Sequence, residues 1–158
     1  MILNELLHDY VIRSATIIIR KKSLESLKFY FDDRFHIIGD FDLSIRLAAE
    51  WKLNCVQSPI AFVRIHGKNE SLLNKNMEIN EMKNWYTEMK KNPIFSSSNR
   101  LNQIEKKIFY LETMESILNK GFRKSFFKIV QYPLCFNKLK LIIALLLPKF
   151  IIKKIKNY

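Results

Sequence analysis

The sequence predicts an α/β protein: a few strands with a flanking helix, followed by a mainly α-helical C-terminal region. Two observations carry this. β-Branched residues crowd "SATIIIR" and the two short runs either side of Pro59, whereas apolar residues recur at helical spacing from Asp40 to Lys52 and again from Met77 onward. At 158 residues and 48% hydrophobic content the chain has enough apolar mass for a packed core. With three Gly and four Pro it carries no P-loop and no dinucleotide fingerprint.

In chain order, "YVIRSATIIIR" (10–20) predicts a mostly buried strand in its second half. One helical turn near Ser23 and an aromatic loop follow, with Asp32 and Asp33 in a solvated turn before Phe35. A helix begins at Asp40 or Asp42 and runs to about Lys52, because Asp42, Arg46 and Glu50 fall at i, i+4 and i+8 while apolar residues occupy the wider arc. "LNCVQ" and "IAFVRIH", divided by Ser58-Pro59, predict two short strands or one bent one. Met77, Ile79, Met82, Trp85, Tyr86 and Met89 predict a helix that ends before Pro93. Further helices are expected over 101–119 and 122–131, with Gly121 as a C-cap between them.

The net charge of +12 is unevenly placed. From Lys120 to Tyr158 there are ten basic residues and no acid, against 17 basic and 15 acidic residues before it. Within that tail the uncharged run Leu141 to Pro148 is far short of the ~20 residues that cross a bilayer. Lysines bracket it and aliphatics fill the gaps, which fits a helix lying in the headgroup region or packing on a partner, divided or kinked at Pro148. Lysines paired with aliphatics rather than with base-stacking aromatics, on a nearly neutral body, argue against nucleic acid as the partner. Cys55 and Cys135 have no metal-site spacing and are expected in the core of a cytoplasmic protein. "MILNELLHDY", without a basic n-region or a long apolar run, is not expected to act as a secretory signal.

Two groups stand out as chemical candidates. Asp40 and Asp42, one residue apart at a helix start, read as a metal clamp, a catalytic base with a helper, or a helix cap; capping and an i, i+4 pair with Arg46 account for Asp42. His66 ends "PIAFVRIH", where strand alternation puts Phe62, Arg64 and His66 on one side; the alternative is a hydrogen-bonded surface histidine.

The stretches "IIIRKKSL", "YFDDRF", "GDFDLSIR" and "VRIHGKNES", in that order, resemble the second half of the catalytic domain of family 2 glycosyltransferases, inverting enzymes of the GT-A fold. The resemblance covers about residues 10–88 and lies in order and spacing as well as in each motif. It implies a partial GT-A-like domain over residues 1–92, its acceptor side, and a helical extension with a basic amphipathic end over 93–158. Asp40 matches the family's general base, which takes the proton of the acceptor hydroxyl as the sugar leaves the nucleotide diphosphate. Asp42 matches the second Asp, assigned to the helix start and the loop, with Arg64 as further support of the site. His66 matches a ligand of a divalent cation, Mn²⁺ or Mg²⁺, on the diphosphate.

The implied activity is transfer of a sugar, with inversion, from a nucleotide-sugar donor to a glycan or lipid-linked acceptor in cell-surface polysaccharide synthesis. Two departures accompany the likeness. Gly39 stands where the family has an acid, and the family's nucleotide-binding strands and donor DxD have no counterpart in the sequence ahead of these stretches. The resemblance therefore implies a fragment inactive by itself, or a chain completed by another that supplies the nucleotide-binding half. The expected location is the cytoplasmic face of an anionic membrane, reached through the tail. The competing reading is a non-catalytic membrane-surface or partner-binding module that retains the scaffold.

Overall fold

A computed structural model describes residues 2–64, 70–96, 101–119 and 121–156. The chain divides into two compact units, 1–105 and 106–158.

In the first unit α1 (Ile2–His8) turns Leu3, Leu6 and Leu7 inward, an i, i+3, i+4 set that makes one apolar stripe, and packs on α3 (Gly39–Glu50). Between them lie a 3₁₀ turn (Ser14–Thr16) and the short α2 (Lys21–Glu25). α3 is buried at Phe41, Leu43, Ile45, Leu47 and Ala48, so most of its circumference faces protein, as its wide apolar arc predicts. After α4 (Glu70–Leu73), α5 (Lys75–Met89) buries Ile79, Met82 and Trp85 along one stripe. The segment then breaks at Asn92-Pro93: proline disfavours helix in the residue before it, and the Asn92 side-chain oxygen accepts the Ile94 N–H at 3.0 Å, starting α6 (Pro93–Ser96). A chain of edge-to-face rings, Tyr10 to Phe41 to Trp85 to Phe95, with centroids 5.1, 4.8 and 6.3 Å apart, runs through this core.

The second unit holds the later part of α7 (Leu101–Asn119) with α8 (Phe122–Gln131), α9 (Phe136–Leu146) and α10 (Lys149–Lys156). Ile117, Ile129, Tyr132, Leu141, Ala144 and Ile152 make its core. Ser116 and Ser125 are buried with their hydroxyls 3.2 Å apart, and Ser125 also donates to the Gly121 carbonyl. Gly121 adopts φ 87° and ψ 169°, a conformation essentially confined to glycine, and stands as the N-cap of α8 rather than as the expected C-cap. Leu147, before Pro148, is extended and separates α9 from α10.

The α/β expectation is overturned. The regular structure among the described residues is all helical, with no strand and no sheet, so a GT-A-like domain with strands is not supported. The physical reason is pairing. Ile17 and Arg20 have extended backbone, and residues 52–64 are neither helical nor strand, but an extended run becomes a strand only when a neighbour supplies its ladder of N–H and C=O partners. Ile18, expected in a buried strand, is 95% exposed. Both cysteines, expected in the core, are exposed as well.

Candidate functional site

α3 carries both aspartates in its first turn, where unpaired N–H groups and the positive end of the helix favour carboxylates. Their surroundings differ sharply. Asp42 is 2% exposed and both its oxygens are engaged. The indole Nε1 of Trp85 donates to Oδ1 at 3.0 Å, while Arg46 donates from Nε to Oδ2 at 2.9 Å and holds a terminal nitrogen 2.8 Å from the same oxygen as an ion pair. Arg46 in turn donates to the Phe29 and Tyr30 carbonyls, each at 2.7 Å, and lies over the Phe29 ring. A buried carboxylate is tolerated only with such compensation, so Asp42 pins α3 to α5 and, through Arg46, to the aromatic loop. It has no face left for a metal, and the clamp reading of the Asp pair falls with that.

Asp40 is only half-buried, and its Oδ1 accepts the Phe41 N–H at 2.7 Å. Tyr10 lies near it, its hydroxyl 3.2 Å from that of Ser44. Burial pushes the Tyr10 phenol above its ordinary range, the hydrogen bond with Ser44 works the other way, and the charge of Asp40 adds to the rise. At neutral pH Asp40 thus stands beside a protonated phenol.

The loop that leads into α3 is held by a residue that sequence reasoning missed. Glu81, 6% exposed on α5, accepts the backbone N–H groups of His36 at 3.0 Å, Ile37 at 2.8 Å and Ile38 at 3.1 Å. A buried carboxylate taking three successive N–H groups fixes the backbone that enters α3, up to and including the N-cap residue Ile38, whose own side chain supplies no cap. One signal was present. Glu81 lies beside Met82 and four residues before Trp85, an acid on the stripe that the apolar residues define.

The remaining predicted site residues do not join this arrangement. Arg64 is exposed on the 52–64 segment and makes no hydrogen bond or ion pair with the described residues of α3. His66 lies outside the described residues. Among the described residues no group of three or more His, Cys, Asp or Glu is placed to hold a metal ion. Asp32 and Asp33 lie in a turn, as expected, but only Asp33 is exposed; the Asp32 side chain is 11% exposed. Asp32 is bound by the Arg34 guanidinium, which also reaches Glu88 on α5.

A cavity of about 610 Å³ in the same unit is lined by Ile12, Ile17 and Ile19 opposite Ser44, Leu47 and Trp51. Ser44 lines the cavity and also meets Tyr10, whereas Asp40 is not part of its wall.

No protein-family model, no curated protein and no solved structure matches the chain.

Proposed function

We propose that the chain acts in inverting transfer of a sugar from a nucleotide-sugar donor to a glycan or lipid-linked acceptor, with Asp40 taking the proton of the acceptor hydroxyl. The observation that carries this reading is the division between the two aspartates. Asp42 is fully engaged in buried hydrogen bonds, while its neighbour Asp40 is half-buried beside Tyr10. An ionised carboxylate that a hydroxyl can approach is what general-base chemistry requires. The order of "YFDDRF", "GDFDLSIR" and "VRIHGKNES" supports the same reading from the sequence. The reading rests on those residues and not on a sheet, and the nucleotide is held by a partner that supplies its binding site.

The test is sugar transfer from labelled nucleotide sugars into the lipid-linked and glycan fractions, using the full chain alone and with an extract of the cells that express it. Transfer that depends on the chain and falls by about 10²-fold or more in Asp40→Asn is the expected result. Chain-dependent transfer untouched by Asp40→Asn removes the assignment of the base, and no chain-dependent transfer in either setting removes the activity.

A further inference from the structure

We infer that α9 is a membrane-docking element whose outward face enters the surface of an anionic bilayer. Its inward face is settled by packing: Leu141 is fully buried and Ala144 is 8% exposed, both in the core of the second unit. The opposite face should then be polar, as on an ordinary surface helix. It is not. Phe136, Leu139, Ile142, Ile143 and Leu146 are 71, 51, 40, 49 and 73% exposed. At 3.6 residues per turn these five fall within an arc of about 120° opposite Leu141 and Ala144. They form one contiguous apolar face.

Charge identifies what covers it. Lys138 and Lys140 flank the arc on either side. Lys138 is spent on the Val130 and Tyr132 carbonyls, and the Lys140 ammonium lies 4.9 Å from the centre of the Phe136 ring. No acid follows Glu115, and ten basic residues lie between Lys120 and Tyr158. A purely apolar protein groove would leave the excess positive charge of this stretch without counter-charge, and a nucleic acid would leave the aliphatic face exposed. An anionic bilayer surface takes both at once, acyl chains receiving the apolar arc and headgroups the lysines. Eleven residues of helix span about 16 Å, roughly half of a hydrocarbon core. Among the described residues no helix is long and apolar enough to cross a membrane, so α9 lies in the plane of the surface.

Docking of this kind does not require Asp40, so its failure and the failure of sugar transfer are separable. The test is flotation of the full chain with vesicles of phosphatidylcholine alone and with a third of the lipid replaced by phosphatidylglycerol. Comparison is with the double variant Leu139→Asp/Ile143→Asp, whose changes fall on the exposed face. Binding to the anionic vesicles that weakens with salt, falls at least tenfold in the double variant with an unchanged far-UV circular dichroism spectrum, and persists in Asp40→Asn is the expected result. Equal binding by the double variant overturns the inference. So does equal binding to both vesicle types, or a wild-type dimer that the double variant dissolves without any vesicle binding. Salt-sensitive binding to duplex DNA that the double variant retains, with no binding to vesicles, also overturns it and favours nucleic acid.

Discussion

The indole N–H of Trp85 meets the buried Oδ1 of Asp42 at 3.0 Å across 43 positions of sequence, and it joins α5 to the first turn of α3. Trp85→Phe keeps most of the ring packing and removes only that donor, which should cost about 1–3 kcal/mol. Asp42→Ala leaves the buried Trp85 N–H without its acceptor and takes the carboxylate from Arg46, which keeps only the Phe29 and Tyr30 carbonyls, and should cost about 3–5 kcal/mol. Asp40→Asn, at a half-buried position, should change stability by less than about 0.5 kcal/mol. Urea denaturation of the three variants checks the ranking. An Asp40→Asn loss as large as that of Asp42→Ala would erase the division of roles between the two carboxylates.

Glu81 should govern the local order of the α3 entry. In Glu81→Gln one oxygen becomes an NH₂ group, so at most one side of the fork still accepts from residues 36–38, where the native carboxylate uses both oxygens on three N–H groups. The expected loss is about 1–3 kcal/mol. Amide hydrogen exchange should accelerate at residues 36–42 by a larger factor than within α7. Uniform acceleration across the chain would mean that Glu81 supports the fold in general and not this entry.

Local patterns carried the helices, and non-local ones escaped. Asp42 and Arg46 at i, i+4 announced both α3 and their ion pair, while Pro93 and Pro148 marked helix boundaries through the conformational limit on the residue before a proline. The run Ile17-Ile18-Ile19 misled for a physical reason. β-Branched side chains favour extended backbone, which Ile17 adopts, but composition does not provide the partner strand that would complete a ladder. The pinning of Asp42 by Trp85 and the grip of Glu81 on residues 36–38 were invisible to spacing because each joins positions more than forty residues apart. Asp40 was found as a helix-start acid; its nearness to Tyr10, thirty positions earlier, needed the fold.

Gly121 holds the junction of α7 and α8 in a backbone conformation with φ 87° and ψ 169°. A Cβ there would meet nothing within 4 Å, so the penalty for a side chain is conformational and not steric crowding by neighbours. Gly121→Ala should therefore destabilise the protein by about 1–3 kcal/mol. Gly39→Ala is the control: a Cβ at Gly39 makes ordinary contact with the Phe31 ring at 3.6 Å, and alanine is the better helix former. Thermal unfolding should show Gly121→Ala lowered and Gly39→Ala unchanged or raised. A Gly121→Ala protein as stable as the wild type would mean that the α7–α8 junction relaxes freely into another conformation.

The contact of Arg34 with Asp32 should contribute to the acid limb of the stability profile. The side-chain hydrogen bonds from Arg34 hold the Asp32 carboxyl below the ordinary 3.8, with a smaller opposing contribution from burial and further help from the Arg34 backbone N–H. A carboxyl with a lowered folded value binds fewer protons in the native state than in the unfolded one. Its contribution to stability is therefore present above about pH 4 and is lost as the pH falls through the lower folded value. Urea midpoints measured from pH 6 to pH 2.5 should fall less steeply at the acid end in Asp32→Asn than in the wild type. At pH 6 the variant should be the less stable of the two, because Arg34 then keeps only Glu88 as an acidic partner. The two curves should converge as Asp32 is protonated. Parallel curves across the whole range would show that Asp32 has the same affinity for a proton folded and unfolded, and the Arg34 contact would then carry no pH dependence.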